Sequence, residues 1–345
     1  MKHCLIMALS LFCLFGCKGY SDLKTEAFDA MLAGDKPFQL VDVRTPEEYA
    51  EGHLRGAVNI DWQAADFEAK EFELLAKDRP VLVYCRSGRR SAEAAEKLGK
   101  DGYDVFNLTG GYLAWTEAEK PVTIYETECF RTPSGEPVDI TLIKHASLEL
   151  RYKGLSIQVD PVSGLGKPTD YAVEFPKADL ILVTHEHGDH FDPTALEALW
   201  KDDTRLITNA RCAEMLGKGD VMANGEDADI REDIRLEAIP AYNITEGRTQ
   251  FHPKGRDNGF VLTLDGLRIY VAGDTEDIPE MAGLKDIDIA FLPVNQPYTM
   301  TVEQCINAAN TIAPKVLIPY HFSQTDLSSL QAALPKIEVR LRQMQ

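Results

Sequence analysis

The chain lacks an excess of positive charge: 36 lysines and arginines stand against 55 aspartates and glutamates, a formal net charge of -19 over 345 residues. No stripe of phosphate-neutralising cations runs through it, which argues against DNA or RNA as the main partner. Cysteine is also sparse. Of seven, Cys4, Cys13 and Cys17 lie in the first 17 residues, and Cys85, Cys129, Cys212 and Cys305 are widely spaced in unrelated contexts. That is no disulfide framework. Bulk disorder is excluded by the remaining composition, 44% hydrophobic and 26% charged. The length makes two domains the default expectation.

The opening MKHCLIMALSLFCLFGC has a basic start and an apolar stretch too short to span a bilayer comfortably, then Gly16 ahead of Cys17. That is the shape of a secretory signal over residues 1–17. Its end, LFGC, resembles a bacterial lipobox. The resemblance implies a lipid on Cys17 and an exported protein held at a membrane of the cell envelope, periplasmic or outer.

Residues 20–120 alternate strand-like and helix-like segments, as in a parallel sheet wrapped by helices. FQLVDV and PVLVYC read as buried strands; SDLKTEAFDAMLAG, EEYAEG and SAEAAEKLGKDG read as helices. The chemistry sits in VLVYCRSGRRSAEAAEKL. A strand delivers Cys85, a tight polar turn follows, and a helix begins near Ser91. Turn N–H groups with a helix dipole behind them make an anion cradle. A cysteine there, beside Arg86, Arg89 and Arg90, suits a nucleophilic sulfur with a negative load. These residues resemble a rhodanese domain: CRSGRRS its active loop, VDVRTPEEYAEGHLRGAVNI its first signature, NLTGGYLAW its closing one. The resemblance implies a persulfide on Cys85, cradled by Arg86, Ser87, Gly88, Arg89, Arg90 and Ser91, with a sulfane-sulfur donor as partner. Asp42, Arg44, Glu48 and His53 would be framework.

Residues 121–137, with three prolines and no apolar periodicity, read as a linker. Beyond it, over 138–340, polar residues follow apolar runs: His145 after VDITLIK, His185 after LILVT, Asn243 after RLEAIPAY, Asp274 after LRIYVAG, His321 after VLIPY. Polar groups at the ends of five strands should converge on one rim of a sheet. LVTHEHGDHFD crowds three histidines and two aspartates into eight positions, a cluster costly to bury without metal. Histidine suits zinc, iron or manganese, and a shared carboxylate bridges two ions. Asp274 is the candidate bridge.

HEHGDH, AGDT and PYH together resemble the metallo-β-lactamase fold; KHAS, QVDP and VNQPYTMT are similar to the ascorbate-6-phosphate lactonase branch. The whole chain is then α/β: an N-terminal rhodanese α/β/α domain with a parallel sheet, followed by an αββα sandwich. The resemblance implies two divalent ions, zinc foremost, with manganese or a single iron as alternatives. His185 and His187 would hold one ion, Asp189, His190 and His321 the other, and Asp274 both. A third histidine of the first ion is missing at Asn243, leaving His252 as replacement ligand or substrate contact. His145 would lie beside the metals. A small-molecule ester, lactone or phosphodiester would be hydrolysed, with Asp189 shuttling a proton and Tyr242, Tyr298 or Lys254 meeting developing charge. The fusion also resembles persulfide dioxygenases, which implies sulfur oxidation on one iron. A third reading is a lipid-anchored binding protein without turnover.

Overall fold

The computed structural model describes residues 19–34, 37–342 and 344, so the signal-like segment and Cys17 lie outside the described residues. The chain forms two compact units, divided between Ile124 and Tyr125.

The first unit is built on strands β1 (Ser21–Leu23), β2 (Gln39–Asp42), β3 (Val58–Asn59), β4 (Val81–Tyr84) and β5 (Val105–Leu108), in the order β1-β5-β4-β2-β3. Every pairing is parallel. In β2 and β4 each residue is buried, as required of strands covered on both faces. Alternate side chains feed two cores. Val41 and Val83 pack with Ala94 and Leu98, while Leu40, Leu82 and Tyr84 pack with Phe28 and Trp115. Ser21–Leu23, expected within the first helix, is instead an edge strand beside β5, and the helix begins at Thr25.

The first signature is framework in this unit. Arg44 donates to Asp42 through Nε and Nη2 at 2.9 and 2.6 Å and to Gly52 O at 2.7 Å. His53 is fully buried, stacked on Tyr49 with ring centroids 3.6 Å apart. Glu48 closes a capping box with Thr45 and pairs with Arg90 at 2.7 Å.

The second unit has two seven-stranded sheets. One holds β6 (Thr127–Arg131), β7 (Pro137–Lys144), β8 (Ser147–Tyr152), β9 (Leu155–Val159), β10 (Leu180–Val183), β11 (Arg205–Thr208) and β12 (Asp220–Val221), side by side in chain order. The other holds β13 (Asp227–Arg231), β14 (Ile234–Ala241), β15 (Asp257–Leu264), β16 (Leu267–Val271), β17 (Ile289–Pro293), β18 (Val316–Tyr320) and β19 (Glu338–Val339), likewise in order. Each sheet runs through three antiparallel pairings and then three parallel ones. The segment expected as a linker thus contains β6: Cys129 sits opposite Asp139 in a paired strand. Apolar periodicity was absent there because an edge strand buries little of either face.

The sheets pack face to face. Leu148, Ile157 and Leu182 of one meet Phe260, Leu262, Ile269, Phe291 and Ile318 of the other in a single core. Val261, between two of those residues, points to the opposite face and packs with Met300, Cys305 and Ala309 around helix Val302–Ile312. This period-two split puts helices outside and a dry interior between the sheets. The pairings fix the direction of the strands. β7, β9 and β10 end on the same edge of their sheet, and β14, β16 and β18 on the matching edge of theirs.

Candidate functional site

In the first unit, β4 delivers Cys85 to a turn, and helix Arg89–Lys100 starts behind it with Gly88 as N-cap at φ 91°. The helix starts two residues earlier than the sequence suggests, because Gly88 can adopt the left-handed region. Cys85 is 1% exposed. Its Sγ accepts from Gly88 N at 3.2 Å and from Ser91 Oγ at 3.4 Å. Arg86, Ser87 and Arg89 are exposed around the turn, and Arg90 is partly buried against Glu48. The closing signature pins the turn from behind: Tyr112 N donates to Cys85 O at 2.8 Å and Leu113 N to Arg86 O at 3.0 Å. A Cβ at Gly111 would lie 2.3 Å from Cys85 O, so only glycine permits that approach. A sulfur held by a backbone N–H and a hydroxyl at a helix N-terminus can carry a negative load.

In the second unit the strand ends converge as the sequence pattern requires. His145 follows β7, His185 to His190 follow β10, Asp274 follows β16 and His321 follows β18. His145 and His321 turn off their strands at φ 46° and 48°, and His321 N donates to His145 O at 2.9 Å, joining the two sheets at the rim. Such backbone strain in non-glycine residues concentrates at functional sites.

Asp274 is at the centre. Its oxygens lie 3.1 Å from His190 Nε2, 3.3 Å from His252 Nε2, 3.3 Å from His321 Nε2 and 3.9 Å from His185 Nε2. Asp189 Oδ2 lies 3.2 Å from His145 Nε2, 3.4 Å from His321 Nε2 and 3.9 Å from His190 Nε2. Ligand-type atoms fall into groups with the spacing of a metal site: His185, His187 and His252; His145, Asp189, His190 and His321; and His185, His190 and Asp274 between them. His145 therefore stands with the second group.

Geometry brings His252, and not Asn243, beside His185 and His187. Asn243 lies at the end of β14 but turns its Nδ2 to Tyr298 O at 2.8 Å. His252, carried on the following loop, reaches the cluster, and its ring centroid lies 4.8 Å from that of His187. Nothing in strand-end spacing marks His252. The available signal was Asp257 five residues on, which lies 3.0 Å from His252 Nδ1.

Two more orienting groups escaped the sequence reading. Asp160, at the end of β9, lies 2.8 Å from His190 Nδ1 and accepts from Thr184 N and Oγ1, each at 2.7 Å. Thr184 Oγ1 lies 3.0 Å from His185 Nδ1. These bonds turn each Nε2 inward, the arrangement that metal-ligating histidines require. Two residues offered for developing charge are committed elsewhere: Lys254 Nζ donates to Tyr242 OH at 3.0 Å and to Glu280 at 2.8 Å, and Tyr242 OH donates to Glu280. Tyr298 remains 45% exposed.

The residues fit divalent ions. His190 Nε2, His321 Nε2 and Asp274 Oδ1 are buried without a hydrogen-bond partner, and the His190–Asp274 approach is too misaligned to make one. Each orphaned buried group costs about 1–3 kcal/mol unless something binds it. Electrostatics agree. Burial would raise Asp274, yet His190 and His321 outweigh it and hold the carboxylate well below its usual range. Burial would lower His321, yet Asp274 and Asp189 push it up to about 9. His185 is lowered by burial and then by neighbouring His190. The pocket calls for positive charge at its centre, and protons supply it only in part.

A family model described as a beta-lactamase superfamily domain matches residues 139–321. The chain belongs to the beta-lactamase superfamily. A protein of Parabacteroides distasonis described as a metal-dependent hydrolase is 55% identical over 64% of this chain and 100% of its own, with a TM-score of 0.62. A metallo hydrolase from Ignicoccus hospitalis is 26% identical over 60% of this chain and 95% of its own, with a TM-score of 0.52. The UPF0173 metal-dependent hydrolase of Nanoarchaeum equitans is 30% identical over 53% of this chain and 83% of its own. A rhodanese-like domain model matches residues 24–118. The chain thus combines a rhodanese-like sulfurtransferase domain with a metal-dependent hydrolase domain of the metallo-β-lactamase fold.

Proposed function

We propose that this superfamily member hydrolyses an ester, lactone or phosphodiester with two divalent ions, zinc foremost, while Cys85 carries sulfane sulfur as a persulfide. The observation that carries the reading is the convergence of imidazoles from both sheets on Asp274, with His252 completing a three-histidine set for the first ion. His185, His187 and His252 would hold that ion, Asp189, His190 and His321 the other, and Asp274 both. Bound there, the ions would supply Lewis-acid activation of water and polarise the substrate's carbonyl or phosphoryl oxygen.

The side chains contribute orientation and proton transfer. Asp160, Thr184 and Asp257 fix the tautomers of His190, His185 and His252. Asp189 Oδ2, one-third exposed, is positioned to take a proton from an attacking water, and His145 Nε2 at 3.2 Å can pass it outward. KHAS, QVDP and VNQPYTMT support a lactonase-like substrate. In the first unit, Gly88 N and Ser91 Oγ favour a terminal sulfur anion on Cys85. LFGC at residues 14–17 supports lipidation of Cys17 and anchoring at the cell envelope, where Cys17→Ser should release the protein from membranes. Among the described residues no helix is long and apolar enough to cross a membrane.

The test is metal content per chain, by elemental analysis, on protein lacking residues 1–17 and purified anaerobically without added metal. About two zinc or manganese ions per chain is the expected result. One iron per chain would overturn the hydrolase reading in favour of sulfur oxidation.

A further inference from the structure

The side chain between the first two ligands of the HEH segment does not face the metals. Glu186 is 10% exposed and pairs with Arg256 Nη1 at 3.3 Å. Arg256 grips its neighbour Asp257 with a fork: Nε donates to Oδ1 at 2.6 Å and Nη2 to Oδ2 at 2.8 Å. Nη2 also donates to Phe251 O at 3.0 Å, immediately before His252. Asp257 Oδ2 in turn lies 3.0 Å from His252 Nδ1. A continuous chain therefore runs Glu186–Arg256–Asp257–His252, and it starts and ends on ligand-bearing segments of different sheets.

We infer that Arg256 is a positioning residue that assembles the first metal site, clipping the HEH segment of one sheet to the His252 loop of the other. The inference rests on the two-ion reading above and concerns residues that do not touch the ions. Planar fork-to-carboxylate pairing fixes Asp257 in direction as well as distance, which a point charge does not do. Asp257 so fixed can face only one way toward His252, and Nε2 then points at Asp274. Glu186 supplies the second anchor from between His185 and His187, so these two ligands and His252 share a rigid frame. Arg211, 3.2 Å from Glu186 but 57% exposed, adds little. The second ion's ligands have no part in the clip; His190 among them is oriented by Asp160 instead. The fold does not depend on it either, because Asn258 N donates to Thr184 O at 3.1 Å and joins the same two strands through backbone.

The experiment is zinc titration of the apo full-length second unit within the intact chain lacking residues 1–17, with chelator competition to resolve the two affinities. Arg256→Met should weaken the first ion about 10–100-fold, as expected for loss of an outer partner, and leave the second within a factor of two to three. Arg256→Lys, a charge without the fork, should recover only part. The metal-free unfolding temperature of Arg256→Met should fall only modestly, since buried Asp257 loses its fork but keeps His252 Nδ1. The decisive comparison is a double-mutant cycle. His252→Ala should weaken the first ion measurably, and adding Arg256→Met should then weaken it little further. Equal weakening of both ions, additive effects in the cycle, or a metal-free unfolding shift large enough to account for the loss would overturn the proposal. The parent's stoichiometry tests the two-ion reading separately. If the parent binds one ion that His252→Ala leaves unchanged, both fail.

Discussion

The Cys85 turn and the metal centre solve the same problem, holding a reactive group in place, with opposite construction. Around Cys85 one strand, one turn and one helix supply the contacts of the sulfur within seven residues, and backbone does most of the holding. Gly88 N meets the sulfur, and Tyr112 N and Leu113 N fasten the turn. The metal centre draws donors from four strand ends and one loop, and side chains hold it. Each of His185, His190 and His252 leans on a separate partner, Thr184, Asp160 and Asp257. A site built from contiguous backbone tolerates changes in most of its side chains, whereas a site built from side chains across two sheets depends on each of them.

The largest effects should be those that delete the reacting atom or the shared ligand. Cys85→Ser should abolish sulfur transfer from thiosulfate to cyanide and leave metal content unchanged. Persistent transfer would remove Cys85 from the mechanism. Asp274→Ala should cost both ions in elemental analysis and leave sulfur transfer intact, since its carboxylate approaches all four of His185, His190, His252 and His321. A variant that keeps two ions would rule out the bridge.

Next in size is a test of the backbone side of the contrast. Gly111 sits at φ 60°, and a Cβ there meets Cys85 O at 2.3 Å and Arg86 O at 2.9 Å. Gly111→Ala should destabilise the first unit by about 1–3 kcal/mol, the usual cost of a strained backbone position. Sulfur transfer should fall with it, because the carbonyl that must move belongs to the nucleophile. Calorimetric unfolding checks the first and cyanide-dependent thiocyanate formation the second. Unfolding unchanged from the parent would mean the close approach is not obligatory.

This contrast also explains what the sequence made legible. The rhodanese-like turn was legible from CRSGRRS because the contacts of its sulfur are local, whereas the close approach of Gly111 to Cys85 O is given only by the structure. In the other unit the strand-end rule found His145, His185, Asp274 and His321, since the C-terminal edge of a sheet places them whatever lies between. It does not reach the third imidazole, which the sequence left open at His252 between replacement ligand and substrate contact. Asn243 occupies the strand end, but its amide satisfies Tyr298 O, while His252 arrives on a loop whose direction is set by Asp257 and Arg256. Strand periodicity carries no information about a loop that folds back. Strand β6 was missed for a related reason: Thr127–Arg131 pairs through backbone at an edge, with only two of five residues buried. Asp160 stood in view at the end of β9 but has no ligand role to advertise; its work is to hold His190.

The smallest expected effect sharpens the comparison most directly, because it concerns a turn in the second unit that a side chain holds in place of backbone. Lys144 is 2% exposed at the end of β7, and its Nζ donates to the carbonyls of Ser163 at 3.4 Å, Gly164 at 3.1 Å and Leu165 at 3.2 Å, and to Lys167 O. The turn it gathers leaves β9 just after Asp160, at the metal rim, and exposes Leu165. One ammonium here does what several backbone N–H groups do for the Cys85 turn. Lys144→Met keeps the length of the side chain and removes every donor, at a local cost of about 0.5–1.5 kcal/mol. Residues 163–167 should then exchange amide hydrogens faster, while Cys85 transfer and the two-ion content stay at parent values. The carbonyls freed by the change can turn to water, so the cost should remain confined to that turn. If exchange there is unaltered, the turn is held by Thr169 N on Ser163 O, and the second unit uses backbone for its rim loops just as the first does.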